Sequence, residues 1–318
     1  MISVIVPTRN RSELLRISLE AISRQCIRPL HIVVVDDGSN PECARRNEQI
    51  LGGIFADATY HYVDTAGARG GGAAFARNLG IKLARGHLVA FCDDDDFWID
   101  REHLAECVAL FDQDPQLDLI FANQEARKAG EVSDPKQTAV LPRGLGLDST
   151  SSGKSFLLSK EDCLLGWYPH LNTCVFRKEL LEKIGGFWGT ACFEDLDLYV
   201  RAVDAAQKVR YLDRTVAVHN NAASSRRQSI TTELAQMDIK VCAVNVASHL
   251  LHTVREKAAV RYARRMAGDA YRWMALHAHS TADRRRAAAY AQLGLAARFS
   301  LKWAFVTLFF SASTLMEA

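Results

Sequence analysis

The sequence has no apolar run long enough to cross a membrane and no cysteine pair spaced for zinc. A membrane helix needs about 20 apolar residues, and the nearest candidate, Trp303 to Ser311, is too short. None of the eight cysteines belongs to a C-x-x-C pair, which disfavours a zinc site and predicts reduced thiols in a cytosolic protein. Residues 1–7 are typical of a short strand that ends at a proline, not of a signal peptide. We therefore expect a cytoplasmic protein.

Charged residues are present in ordinary numbers but are unevenly distributed. The 318 residues are 48% hydrophobic and 24% charged, a globular composition that excludes a disordered chain. The formal net charge is +2. Residues 222–318 contain 14 Lys or Arg and 6 Asp or Glu, a balance of +8, which leaves −6 for residues 1–221. The acidic first part and the basic last part suggest separate roles.

Segments of strand length alternate with segments of helical spacing in the first part of the chain. Strands are predicted over residues 2–6, 31–35, 60–63 and 88–92. Their largely apolar composition is typical of a parallel sheet covered by helices on both faces. Ligands of such sheets bind beyond the carboxyl ends of the strands. From Glu233 onwards, Ala, Leu and Arg at helical spacing predict a helical region.

Polar clusters stand at the predicted carboxyl edge of this sheet. They are Pro7–Asn10, Asp36–Ser39, a Gly-rich turn at 67–72 and the acidic run Asp93–Asp96. Adjacent carboxylates repel one another unless protons or a cation lie between them. Mg²⁺ and Mn²⁺ take oxygen ligands and share them with substrate phosphates. The acidic run therefore predicts a divalent metal site, and the alternative is an acidic turn or helix start, where Asp is common.

Six motifs in a fixed order carry a resemblance to a known family. They are Val4–Asn10, Val34–Ser39, Ala76–Gly80, Phe91–Asp96, Gly185–Phe187 and Phe193–Leu198. Across about residues 2–220 the chain resembles the family-two inverting glycosyltransferases of the GT-A fold. The resemblance implies an α/β fold, with a mixed, mainly parallel sheet flanked by helices. It places a nucleotide-sugar half in about 1–98, an acceptor half in about 99–221 and a helical C-terminal region in 222–318.

The resemblance also implies an activity and roles for particular residues. The activity is metal-dependent, inverting transfer of a sugar from a nucleotide-diphosphate donor to a hydroxyl. Residues implied at the nucleotide are Pro7, Thr8, Arg9, Asn10, Asp36, Arg77, Asp93 and Asp94. Metal ligands are implied at Asp95, Asp93 and His219, with Mn²⁺ or Mg²⁺ as the cofactor. Which carboxylates of the acidic run bind the metal stays open, and a structural role is the alternative for His219.

The catalytic base implied by the resemblance is Asp195. Glu194 stands beside it and is implied in positioning the acceptor or the base. Inverting transfer needs such a base opposite the leaving group, because the acceptor hydroxyl must lose a proton as it attacks. The alternative is a helix N-terminus that carries two acids favoured by the helix dipole.

The expected partners are a nucleotide-sugar donor and a saccharide acceptor. A carboxylate at Asp36 can accept from a base N–H, which favours a UDP- or dTDP-sugar. The acceptor is a glycan, a lipid-linked saccharide or a small metabolite. A non-catalytic relative that binds nucleotide-sugar is the alternative function. Nucleic acid is not expected as a partner, because the basic residues lack a recognition motif.

Two interpretations of the basic C-terminal region stay open. Its arginine clusters are followed by an aromatic and aliphatic stretch: Arg264–Arg265, Arg284–Arg286, Phe299, Trp303, Phe305, Phe309 and Phe310. Basic helices of this kind can lie on the anionic inner face of the cell membrane. Alternatively, they pack on the catalytic domain or form a homodimer interface.

Overall fold

The contacts of the chain define two compact units. The computed structural model describes residues 1–55, 58–65, 70–128, 131–132, 155–165, 168–190, 192–221 and 235–315. The first unit comprises Met1–Gly189 and Ala205–Arg227, and the second comprises Thr190–Asp204 and Gln228–Ala318. Residues 190–204 are thus grouped with the C-terminal helices, whereas the sequence analysis placed them within the first 221 residues.

The described part of the first unit contains a ten-stranded mixed sheet. Its strands are β1 (Ile2–Thr8), β2 (Leu30–Asp36), β3 (Thr59–Tyr62), β4 (Leu88–Phe91), β5 (Phe97–Trp98), β6 (Leu117–Lys128), β7 (Glu131–Val132), β8 (Ser155–Leu158), β9 (Val175–Arg177) and β10 (Lys208–Asn221). The spatial order is β3-β2-β1-β4-β9-β6-β10-β5, with β7 on β6 and β8 on β10. β1, β2, β3 and β4 are parallel, as are β6 and β10, while β9 runs antiparallel to both β4 and β6. Strands β1 to β4, β6 and β10 therefore share one direction, which confirms the expected mixed, mainly parallel sheet.

Helices cover this sheet through apolar faces. They are α1 (Ser12–Ser23), α2 (Pro41–Ile54), α3 (Ala73–Leu83), α4 (His103–Gln113), α5 (Lys160–Cys163) and α6 (Lys178–Lys183). In α1, the side chains of Leu15, Leu19 and Ile22 recur at helical spacing and are buried in the sheet core. On the other side, the ring of Phe91 in β4 packs edge-on against Phe187, with ring centroids 5.4 Å apart. The buried strands thereby fix where the polar segments at their ends can lie.

The second unit is helical over its described residues. It contains α7 (Glu194–Ala205) except for its last residue, together with α8 (Gln236–Thr253), α9 (Lys257–Ser280), α10 (Arg284–Ala297) and α11 (Leu301–Leu315). α9, α10 and α11 pack through small residues, and a Cβ added at Gly268 of α9 would lie 2.9 Å from the Cβ of Arg298. Alanine and glycine allow helices to approach closely, which accounts for the alanine-rich composition of this region. Among the described helices, none combines the length and apolarity that a membrane crossing requires.

Candidate active site

The carboxyl edge of the sheet gathers the polar segments that the sequence analysis placed there. Thr8 at the end of β1 pairs with Asp36 at the end of β2, and Ile5 pairs with Phe91 at the end of β4. The chain leaves β4 directly into the acidic run. The Thr8 hydroxyl donates to Asp94 Oδ2 at 2.8 Å, which ties the acidic run back to β1.

Asp36 is fully buried and its carboxylate is already well satisfied. Its Oδ1 accepts from the backbone N–H of Ser39 at 2.8 Å. Its Oδ2 accepts from Asn47 Nδ2 at 2.8 Å and from the Tyr60 hydroxyl at 2.7 Å. Burial, followed by the hydrogen bond to Asp36, raises the pKa of Tyr60 far above its usual range. These donors hold the β2 end in place, and the base-contacting role of Asp36 stays a prediction.

Asp37 fastens the end of the Gly-rich turn to the sheet edge. Its two carboxylate oxygens accept from the backbone N–H groups of Gly71 and Gly72, each at 2.8 Å. Arg9 Nη1 donates to the Asp37 carbonyl at 3.0 Å. A side chain at Gly70 would collide with this arrangement, since its Cβ would lie 1.9 Å from Arg9 Nη1. Arg9 therefore packs beside the turn that precedes α3 and binds the residue that holds this turn.

Arg77 of α3 reaches the first carboxylate of the acidic run. Its Nη2 donates to both oxygens of Asp93, at 2.7 and 2.8 Å, and its guanidinium lies 5.4 Å from the centroid of the Phe187 ring. Burial acts to raise the pKa of Asp93, but attraction to Arg77, its hydrogen bonds and the nearby histidines together outweigh burial and hold that pKa below its usual range. Asp93 is thus held as a carboxylate by a buried arginine.

Arg11, which the sequence analysis did not single out, binds the next two carboxylates. Its Nη1 donates to Asp94 Oδ1 and to Asp95 Oδ2, both at 3.1 Å. Burial raises the pKa of Asp94 to about 7 despite the attraction of Arg11. Burial and the like charges of Asp96 and Asp93 also raise the pKa of Asp95. The acidic run therefore contains more negative charge than its own arginines neutralise, and a cation would stabilise it.

The fourth carboxylate, Asp96, is the centre of a buried polar cluster. Its Oδ1 accepts from the backbone N–H of Asn220 at 3.0 Å and from His219 Nδ1 at 3.1 Å. Its Oδ2 accepts from Asn172 Nδ2 at 3.0 Å. Burial acts to lower the pKa of His219, but the hydrogen bond to Asp96 and the charges of the acidic run together outweigh burial, so the net pKa lies above the ordinary value.

His170 completes a group with metal-ligand chemistry. One ligand atom each from Asp96, His170 and His219 lies within 4.8 Å of the others. His170 Nδ1 is 3.6 Å from Asp96 Oδ2, is buried, and has no hydrogen-bond partner among the described residues. A buried ring nitrogen without a partner is costly, and a bound cation would relieve that cost. The sequence signal for His170 was weak, because it lies 74 residues from Asp96 with no motif around it.

The residues of the first motif, Pro7–Asn10, make different contacts at the carboxyl edge of the sheet. Asn10 adopts a left-handed backbone with φ of 53°, and its Oδ1 accepts from the backbone N–H of Asn40 at 2.8 Å. Pro7 pairs with Val35 inside the sheet. Thr8, Arg9 and Asn10 thus contact the neighbouring segments at this edge, and their contact with a nucleoside stays a prediction.

Glu194 and Asp195 begin α7 in the second unit. Asp195 Oδ1 accepts from the backbone N–H of Leu196 at 2.8 Å. Burial raises the pKa of Tyr262 to about 12, with a smaller contribution from the charge of Asp195 and an opposing one from Arg265. Both acids are half-buried. Their catalytic roles stay predictions.

The sequence matches a known protein family. The model for "Glycosyl transferase family 2" matches residues 3–185. The chain belongs to this family. Over 229 residues, 71% of the chain and 68% of the relative, it is 24% identical to the O-antigen chain rhamnosyltransferase RfbN of Salmonella typhimurium. Over 184 residues, 57% of the chain and 53% of the relative, it is 29% identical to the GalNAc(5)-diNAcBac-PP-undecaprenol beta-1,3-glucosyltransferase of Campylobacter jejuni. The chain thus spans between about half and two thirds of the length of these family-2 relatives.

Solved structures show the fold of this family-2 chain. S. aureus TarS 1–349 in complex with UDP-GlcNAc superposes with a TM-score of 0.65 at 18% identity, over 93% of the chain and 81% of TarS 1–349. The mannosyltransferase PcManGT from Pyrobaculum calidifontis, in complex with GDP-Man and Mn²⁺, gives 0.56 at 20% identity, over 99% and 80%. These likenesses confirm the expected GT-A fold.

Proposed function

We propose that this chain is a metal-dependent, inverting glycosyltransferase that moves a sugar from a nucleotide-diphosphate donor to an acceptor hydroxyl. The observation that carries the proposal is the group of Asp96, the last carboxylate of the acidic run, with His170 and His219, at the carboxyl edge of the sheet of a family-2 chain. A nucleotide diphosphate leaves readily only when its developing negative charge is stabilised. The proposal accounts for the excess negative charge of the acidic run, because a cation held there would offset that charge and stabilise the leaving diphosphate.

The metal would be held by Asp96, His170 and His219. The buried Nδ1 of His170, which has no hydrogen-bond partner within the described part of the chain, fits such a ligand. One carboxylate and two imidazoles suit Mn²⁺ better than Mg²⁺, which prefers oxygen ligands alone. When bound, the cation supplies charge stabilisation for the leaving diphosphate. This proposal moves the main carboxylate ligand from Asp95 and Asp93 to Asp96, and keeps Asp95 as a further candidate ligand.

The remaining residues would bind, orient and accept the proton. Asp93, whose carboxylate Arg77 holds through two hydrogen bonds, would contact the donor's ribose. Asp195 would accept the proton of the acceptor hydroxyl as that oxygen attacks the anomeric carbon, while the bond to the diphosphate breaks. Glu194 would position the acceptor or the base. A single displacement of this kind inverts the anomeric configuration.

The relatives and neighbours bear on the donor and acceptor classes. TarS was solved with UDP-GlcNAc, which agrees with our preference for a UDP- or dTDP-sugar, whereas PcManGT was solved with GDP-Man, so GDP is included among the nucleotides tested below. The C. jejuni relative acts on an undecaprenol diphosphate-linked saccharide. We therefore propose a lipid-linked saccharide as the acceptor of this chain.

The first experiment measures metal-dependent nucleotide binding. UDP, dTDP, GDP and CDP are each added with and without Mn²⁺, and the thermal unfolding midpoint is recorded. A ligand at 100 times its Kd stabilises the folded state by about 2.7 kcal/mol. A rise with one nucleotide that requires Mn²⁺ supports the proposal and names the donor class. No rise with any of the four contradicts it.

Single substitutions test the proposed metal ligands and the proposed base separately. His170→Ala should remove most of the Mn²⁺-dependent rise, while His61→Ala, a half-buried histidine of β3, should keep it. Asp195→Asn should abolish transfer while keeping the Mn²⁺-dependent nucleotide rise. Transfer that survives in Asp195→Asn would show that another group is the base. Nucleotide binding without any transfer by the wild-type chain would indicate the non-catalytic alternative.

A further inference from the structure

The last helix of the second unit, α11, is apolar on both sides. Its inner side carries Trp303, Val306 and Phe310, which pack with alanines of α9 and α10. The Phe310 ring also stacks on His279, with centroids 4.7 Å apart. The inner side therefore accounts for the packing of the helix, and an outer apolar side needs a separate explanation.

The outer side is a continuous row of large exposed side chains. Leu301, Phe305, Leu308 and Phe309 recur at helical spacing and are 72%, 72%, 66% and 62% exposed. We call these four residues the α11 apolar face. Phe299, 70% exposed, precedes the helix. Together these side chains present apolar surface on the order of 500 Å², comparable with the largest patch of a typical monomer, and such patches mark interaction sites.

Basic residues flank both ends of the α11 apolar face. Arg298 and Lys302 are exposed at the start of α11. α10 runs antiparallel to α11, because only residues 298–300 connect them and Phe310, near the end of α11, lies in one apolar cluster with Ala287, near the start of α10. The exposed cluster Arg284–Arg286, which begins α10, therefore lies towards the end of α11.

The charge of this region favours an anionic partner. Residues 257–315 contain ten Lys or Arg and two Asp, a balance of +8. A second copy of the chain would bring the same positive charge to the face, and like charges across an interface are costly. An anionic bilayer attracts basic residues and at the same time accepts aromatic and aliphatic side chains between its headgroups. The observations thus favour lipid over self-association.

We propose that the α11 apolar face docks on the surface of an anionic bilayer. A helix of 15 residues is about 22 Å long, short of the roughly 30 Å hydrocarbon core. α11 would therefore lie in the plane of the interface, with Phe305 and Phe309 among the acyl chains and Lys302 at the headgroups. The purpose of docking rests on the proposed function, because docking would bring the enzyme to the surface at which a lipid-linked acceptor is presented.

Vesicle co-sedimentation of the full chain tests the proposal. We expect the wild type to pellet with vesicles of phosphatidylcholine and phosphatidylglycerol, and to pellet much less with phosphatidylcholine alone or in high salt. The double variant Phe305→Ser/Phe309→Ser should lose at least about tenfold in partitioning, since two exposed rings no longer enter the lipid. The control Ile17→Ser, which alters an exposed apolar residue of α1, should partition like the wild type. Because the altered side chains are exposed, the variants should remain folded, and thermal unfolding checks this.

Three results would overturn the proposal. The first is a wild type that does not pellet with the anionic vesicles, and the second is a double variant that pellets equally well. The third is a wild-type dimer by light scattering that becomes monomeric in the double variant without any vesicle binding, which would assign the face to a second copy. Nucleotide binding and transfer are measured separately with a water-soluble acceptor. Vesicle binding without transfer would therefore refute the proposed function alone, and transfer without vesicle binding would refute docking alone.

Discussion

Substitution of two carboxylates of α7 is expected to affect different properties, activity in one case and stability in the other. Asp195 is half-buried in the first turn, whereas Asp197, two residues later, is fully buried. Arg201 donates to Asp197 Oδ2 from Nε at 2.8 Å and from Nη2 at 2.5 Å. His249 of α8 donates from Nδ1 to Asp197 Oδ1 at 2.7 Å. We predict that Asp195→Asn abolishes transfer with little loss of stability, and that Asp197→Ala destabilises the second unit.

The magnitude follows from what each substitution removes. Asp197→Ala removes the carboxylate that faces the buried guanidinium of Arg201 and the ring of His249. Loss of one partner of a buried ion pair costs about 3–5 kcal/mol. Asp195→Asn keeps an oxygen that can accept from Leu196 N–H and removes a charge near the start of the helix, which costs about 0.3–1 kcal/mol. The two variants should therefore differ by at least about 2 kcal/mol.

Urea unfolding, followed by circular dichroism, measures both variants beside the wild type. Asp197→Asn is the conservative control, because it keeps the shape and one acceptor while removing the charge. We expect its stability to lie between those of Asp197→Ala and the wild type. Equal stability of Asp197→Ala and the wild type would refute the argument, since it would mean that the ion pair and the α8 contact contribute nothing to folding.

Three further predictions concern the first unit. Burial lowers the pKa of His103 from its ordinary value near 6.5 to about 4, so the unfolded state takes up a proton first as pH falls, and stability should drop by about 2 kcal/mol between pH 7 and 5. His103→Gln should lose that difference in urea titrations at the two pH values. Arg77→Ala should cost about 1–3 kcal/mol in the same assay and Arg77→Lys less, because lysine keeps the charge facing Asp93 but not the planar fork; equal losses would contradict this. Tyr60→Phe removes one donor to Asp36 and should cost about 1–2 kcal/mol by thermal unfolding, and an unchanged midpoint would show that water replaces it.

Much of the sheet could be predicted from the local hydrophobic pattern of the sequence. The apolar strands β1, β2 and β4 are buried in the sheet, and that composition alone predicted a largely parallel sheet. The carboxyl ends of parallel strands meet at one edge, so the convergence of Thr8, Asp36 and the acidic run was also predictable. The antiparallel direction of β9 was not predictable, because it depends on pairing with β4 and β6, which are distant in the sequence.

The partner of each carboxylate in the acidic run could not be predicted from the sequence. Four adjacent aspartates look alike in one dimension, and the structure separates them by partner: Arg77 for Asp93, Arg11 for Asp94 and Asp95, and Asn172 with the histidines for Asp96. His170 is the clearest case. It comes close to Asp96 only because of how the chain folds between them.

Sequence by itself determined the class of fold, the family and the edge at which the chemistry is expected, since hydrophobic period and motif order are local properties of the chain. Tertiary structure alone decided which side chains pair with the acidic run, which side of α11 is covered, and which residues come together as the candidate metal-binding group. Trp303 and Phe310 turn inwards while Phe305 and Phe309 stay exposed, although all four stood together in one aromatic stretch. The physical reason is that burial and electrostatic partnership depend on distance in space, and residues distant in the chain supply the partners.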